Sequence, residues 1–133
     1  MRYLGSLLGC CLLVGCGGSG ASVKTFARYW WGHDRGLDIK RDGRGHEVVN
    51  DGCCHTVVAL RFRIADVQGQ SRKAVATVKI TAVEADRAVY VAGVHRLPPR
   101  VGQAGSLVLD RGVITDKLTT ATFCANTVST CGA

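Results

Sequence analysis

Thr56-Val57-Val58-Ala59-Leu60-Arg61-Phe62-Arg63-Ile64 carries the clearest periodicity in the chain. Successive side chains of a strand point to opposite faces. Val58, Leu60, Phe62 and Ile64 therefore share one side, with Ala59, Arg61 and Arg63 on the other. A period of two with one apolar and one charged face describes a strand buried on one side only. Arg61 and Arg63 are predicted to face solvent.

The same period extends in both directions. Leu37 and Ile39 alternate with Asp38 and Lys40, Asp42-Gly43-Arg44-Gly45 supplies a hairpin turn, and a second strand runs through His46 to Val49. Downstream, Gln68-Gly69-Gln70-Ser71 turns the chain into a β-branched stretch, Ala74 to Glu84, with Val78, Ile80 and Ala82 on the predicted core face. Ala85-Asp86 is read as a tight reversal into a strand over Arg87 to Ala92, carrying Val89 and Val91. His95 to Gln103 is the one long loop, since Pro98-Pro99 cannot sit in a central strand. Strands follow at Leu107 to Leu109, at Val113-Ile114-Thr115 after the turn Asp110-Arg111-Gly112, and over Lys117 to Phe123. About eight short strands joined by turns, with no amphipathic helix, predict a single all-β domain. The expected architecture is a meander-like antiparallel β-barrel or sandwich. Closure into a barrel is attractive because it alone removes both exposed edges.

The N-terminus carries a different signal. Met1-Arg2 is a short positive start, and Tyr3 to Val14 is an apolar run. That run is too short to span a bilayer, which takes about 20 apolar residues. A positive start, a short apolar core and small residues describe an export signal. Leu13-Val14-Gly15-Cys16 resembles the bacterial lipobox, which implies lipid transfer to the Cys16 thiol, cleavage before Cys16 and acylation of the new N-terminus. Ser19-Gly20-Ala21 offers a second, ordinary cleavage site that would release a secreted protein. Both readings stay open. The expected organisation is a signal peptide over 1–15, a lipidated Cys16 with a flexible tether over 16–23, and an all-β domain over 24–133.

Export frames the cysteines and the charge. Cys53, Cys54, Cys124 and Cys131 are an even set, read in an oxidising compartment as two disulfides. Neighbours in a strand point apart, so the favoured pairing joins each of Cys53 and Cys54 to one of Cys124 and Cys131. The alternative is Cys53–Cys54 with Cys124–Cys131. Seventeen basic residues against ten acidic ones give a net charge of +7. The basic residues cluster at Lys40, Arg41 and Arg44, at Arg61 and Arg63, and at Arg72 and Lys73. With no block of five or six like charges, such a balance first of all serves solubility; as for a partner, in an exported chain it favours an anionic lipid surface or wall polymer and not nucleic acid.

Aromatic surface concentrates in Phe26, Tyr29, Trp30, Trp31, Gly32 and His33. A Trp near the first strand followed by Gly resembles small calycin-type barrels, which implies a Trp plugging one end. Trp30, Trp31 and His33 are the candidate ligand-binding residues, as a stacking platform for an apolar or glycan ligand. His33 beside Asp34 and Arg35, or His95, could serve a small hydrolase. Adjacency in a strand argues against such a dyad, so no catalytic residue is assigned. Cys53-Cys54-His55 has soft-metal donors at a spacing unlike the usual zinc pairs, and no metal or cofactor is expected.

Together, the lipobox, the Trp31-Gly32-His33-Asp34-Arg35-Gly36-Leu37-Asp38-Ile39 segment, the Asp42-Gly43-Arg44-Gly45 turn, Gly52-Cys53-Cys54 and the ending Cys124 to Cys131-Gly132-Ala133 resemble small secreted or lipid-anchored proteins of mycobacteria and related actinobacteria. That likeness implies the extracytoplasmic face of the cell membrane, with free secretion as second choice, and carries no catalytic residue. The expected role is a non-enzymatic envelope module binding an apolar, glycan or anionic partner. A small secreted hydrolase and an envelope immunity or exclusion factor are the competing readings.

Overall fold

The structure, a computed structural model, describes residues 20–52, 54–126 and 131. In chain order it contains α1 (Val23–Phe26), β1 (Tyr29–Gly32), β2 (Arg35–Ile39), β3 (Arg44–Asp51), β4 (His55–Gln70), β5 (Lys73–Ala85), α2 (Arg87–Val94), β6 (Ala104–Asp110), β7 (Val113–Asp116) and β8 (Thr122–Cys124). Each strand pairs antiparallel with the next, and β8 returns to β1, so the sheet is a closed eight-stranded meander barrel. Among the described residues no helix is long and apolar enough to cross a membrane.

The opening stretch behaves as its period requires. Val58, Leu60 and Phe62 are buried, Ile64 is half-buried against them, and Arg61 and Arg63 are exposed. Leu37 and Ile39 of β2, Val78 and Ile80 of β5, Leu107 and Leu109 of β6, Ile114 of β7 and Phe123 of β8 complete the interior. An eight-stranded barrel is just wide enough for its own side chains to fill. Gly45 on β3 is shaped by that crowding: a Cβ there would lie 2.0 Å from the Phe62 ring, which occupies the space.

Three expectations are corrected. The β4 strand does not turn at Gln68 but runs to Gln70, and Ser71-Arg72 make the reversal. Ala82 is exposed and Val83 faces the core. The cause is a bulge: Arg61 pairs with Ala82 but Phe62 with Ile80, so the extra Thr81 flips the phase of β5. Arg87 to Ala92 is part of a helix, not a strand. Asp86 caps it by accepting from the Val89 N–H at 3.2 Å, and His95, left-handed at φ 60°, ends it. A short apolar run does not by itself distinguish the two states, and the cap tips it. The eighth strand is instead β1, which makes Trp30 an inward residue.

The barrel's two ends differ. One carries the β2–β3, β4–β5 and β6–β7 turns and α1, where Trp30 is buried and its indole N–H donates to the Phe26 carbonyl at 2.8 Å. The chain enters here: Gly20 pairs with Gln70, and the Ala21 N–H donates to Gly69 O at 2.9 Å. Residues 20–23, read above as tether, thus lie on the barrel. The other end is covered by α2, whose buried Tyr90 donates its hydroxyl to Leu118 O at 3.3 Å. The short β8 is clamped there by Arg35. Its guanidinium donates to Thr122 O (2.6 Å), Thr122 Oγ1 (3.2 Å) and Cys131 O (3.2 Å).

The favoured disulfide pairing is also corrected. Cys124 is bonded to Cys131, with Cα atoms 5.8 Å apart. Cys124, on the outward side of β8 beside Trp31, is covered by the tail, which doubles back over it, since the His33 N–H donates to Cys131 O at 3.1 Å. This agrees with one bridge of the alternative pairing. Cys54 is itself disulfide-bonded, and Cys16 and Cys53 lie outside the described residues.

Candidate functional site

The outer face of β2 to β5 gathers basic residues that are far apart in sequence. Arg44 pairs in register with Arg63, and Arg63 with Lys79, so three cations stand side by side on three adjacent strands. In the neighbouring row His46 pairs with Arg61. Like charges directly opposite one another destabilise a sheet. Among the described residues no ion pair forms to Arg61, Arg63 or Lys79, whereas Arg44 is held by Asp42 at 2.7 Å and Lys40 by Asp38 at 2.8 Å. The Arg44 backbone N–H, followed by its guanidinium, holds the Asp42 carboxyl below its usual range.

Two contiguous grooves lie on this face and share His46 and Arg61. One, of about 230 Å³, is lined by Asp38, Lys40, Arg44 and Gly45; the other, of about 440 Å³, by Val48, Thr56, Ala59, Ala82, Val83 and Glu84. Partial burial first, and the Arg61 charge second, push the His46 imidazole below its ordinary value, against a smaller opposing pull from Asp38. A neutral imidazole at this position can both donate and accept a hydrogen bond in the groove. The structure thereby joins two of the sequence clusters, Lys40/Arg41/Arg44 and Arg61/Arg63, and adds Lys79. Pairing register, invisible in the linear chain, is what unites them.

The sequence-predicted ligand residues are dispersed. Trp30 is in the core, while Trp31 is half-exposed on the outer surface, its ring centroid 4.4 Å from that of Tyr29 at 66°. The Trp preceding Gly32 is therefore not the interior one; Trp30 fills that place. His33 stands on the exposed β1–β2 turn, its Nε2 3.2 Å from Asp34 Oδ2, and His95 is an exposed helix cap. His55 bonds Asp86 at 2.9 Å and helps hold the α2 cap. Among the described residues no group of three or more His, Cys, Asp or Glu is placed to hold a metal ion.

Under the α2 end lies a buried polar cluster that strand reading passed over. Glu47 is fully buried and Asp116 and Thr119 nearly so. Thr119 Oγ1 donates to Glu47 Oε1 at 2.6 Å, and Asp116 Oδ1 accepts from the Leu118 N–H at 2.7 Å. Glu47 Oε2 has no hydrogen-bond partner. Burial above all, and then the Asp116 carboxyl, push Glu47 well above the usual carboxylate range, outweighing Thr119 and Arg35. A proton on Glu47, facing Asp116, supplies the donor that two carboxylates would lack. Thr120, in the same turn, is held at φ 65°, a strained value for a β-branched residue. The signal was present: Glu47 shares the inward phase of Val49.

No family model matches the chain, and no curated protein and no solved structure matches it either.

Proposed function

We propose that this chain is an exported, lipid-anchored barrel that holds an anionic envelope polymer on the outer face of β2 to β5, without catalysis. The observation that carries this reading is the row Arg44, Arg63 and Lys79 beside a groove containing Arg61 and His46. Repulsion within that row costs stability in the free barrel and is relieved by a bound polyanion. The interior supports the same view: it is filled by its own aromatic and aliphatic side chains, and the grooves with cationic lining open outward. The export signal and the lipobox cysteine Cys16 support location at the outer face of a membrane.

Titration calorimetry with polyphosphate as the probe tests the groove. The variant Arg61→Ser/Arg63→Ser/Lys79→Ser changes only exposed side chains. It is expected to bind about a hundredfold more weakly, on the order of 1 kcal/mol per charge, and with a shallower salt dependence. Unchanged affinity in that variant would remove the site. The anchor is tested separately, because a Cys16→Ala chain that still partitions into detergent as the parent does would end the lipoprotein reading.

A further inference from the structure

A second cationic cavity, of about 410 Å³, opens at the barrel end where the chain enters. Three arginines from separate segments line it: Arg28 between α1 and β1, Arg72 in the β4–β5 turn and Arg111 in the β6–β7 turn. Trp30 and Leu109 form its apolar floor. The arginines are not loosely scattered. The Arg111 N–H donates to Arg72 O at 2.8 Å, which ties the two turns together. Arg28 donates from Nη2 to Ala125 O at 2.8 Å, and its guanidinium carbon lies 5.4 Å above the Trp30 ring. Among the described residues, the one acidic contact to these arginines is Asp110, 3.8 Å from Arg111 Nε. Three arginines brought from separate segments over an apolar floor, Arg28 with its guanidinium held in place, suit a phosphate attached to a hydrocarbon body.

Position names the source of that phosphate. Gly20 and Ala21 are bonded to Gln70 and Gly69, beside Ser71 and Arg72 of the cavity. Cys16 precedes Gly20 by four residues, a reach of at most about 14 Å. An acylated Cys16 therefore keeps this end of the barrel within the headgroup layer. We infer that the Arg28–Arg72–Arg111 cavity seats the phosphate of an anionic phospholipid headgroup and docks the barrel end-on against its own membrane. This rests on the anchored reading only for the choice of membrane. It leaves the β2 to β5 face pointing sideways into the envelope.

The test uses the full chain carrying Cys16→Ala, so that no acyl group contributes, and vesicles of phosphatidylcholine alone or mixed equally with phosphatidylglycerol. The readout is the ratio of partitioning into the two vesicle types, compared between parent and variants, which all carry the same leader with its Arg2. The parent arginines should favour the anionic vesicles by about a hundredfold at low salt, and Arg28→Gln/Arg72→Gln/Arg111→Gln should abolish the preference. Arg28 also braces Trp30, so Arg72→Gln/Arg111→Gln, which leaves that contact intact, should lose at least tenfold by itself. The Arg61/Arg63/Lys79 variant should retain the preference, separating this site from the outer groove. Equal partitioning of the parent into both vesicle types, or an undiminished preference in Arg72→Gln/Arg111→Gln, overturns the inference. So does inorganic phosphate that occupies the cavity at micromolar concentration in a chain with no vesicle preference, which would make it a small-anion site.

Discussion

Replacing Glu47 by glutamine keeps the side-chain shape and the acceptor that takes the Thr119 hydroxyl at 2.6 Å. It also puts an N–H where Glu47 Oε2 finds no partner. In the parent, the folded state must hold a proton on Glu47 or bury its charge. The folded value is raised above the ordinary 4.5, with burial as the main cause. A carboxyl shifted upward contributes fully below its unfolded value, and that contribution drains away as pH rises through the folded one. Glu47→Gln has no such proton to lose. Leaving a buried acceptor unsatisfied costs about 1–3 kcal/mol, so the variant should gain that amount at pH 8, or roughly 4–12 °C in Tm for a domain of this size. Near pH 4 the gain should vanish.

Denaturant melts of both proteins from pH 4 to pH 9 measure the difference directly. Other groups slope the individual curves. Asp42 and Asp86, both lowered, add an acid limb below pH 3.8, and His46, lowered, costs stability as pH falls below 6.5. These are common to both proteins and cancel in the difference. A difference that stays flat from pH 5 to pH 8, or a glutamine variant less stable than the parent at pH 8, would refute the shared-proton account.

Two further outcomes follow from the seam between β1 and β8. Arg35→Met removes the donors to Thr122 O, Thr122 Oγ1 and Cys131 O, and should cost about 2–4 kcal/mol in chemical denaturation, since hydrogen bonds from a charged group contribute about 1.5–3 kcal/mol each and do not add fully; a loss under 0.5 kcal/mol would show that β8 closes the barrel without the clamp. The Cys124→Ser/Cys131→Ser variant opens a loop with a sequence separation of only 7, so the chain-entropy estimate is about 2.5 kcal/mol and not the larger value of a long-range bridge, a distinction that urea midpoints at constant slope can make.

The inner face of the barrel was legible in the linear chain wherever alternation ran unbroken, as in Val58, Leu60 and Phe62 or Leu37 and Ile39. Turns at Asp42-Gly43 and Arg111-Gly112 were equally plain, because the left-handed backbone at Gly43 and Gly112 is a local demand that glycine meets without strain. Alternation failed at Thr81, where a bulge inserts a residue and reverses the phase, and at Arg87 to Ala92, where a cap selects helix over strand. Both depend on what lies opposite or above. The same holds for the cysteines, since Cys124 and Cys131 meet only because the tail folds back across the β1–β8 seam.

Chemistry divides along the same line. Net charge, clusters of basic residues and the lipobox-like N-terminal pattern are properties of composition and order, and needed no coordinates. Register alone sets Arg44, Arg63 and Lys79 in one row, and closure alone buries Glu47 beside Asp116. Short-range preferences act over a few residues, while pairing and burial join residues separated by tens of positions. The strands were therefore written in the sequence, but which side chains share a surface was decided only when the sheet closed.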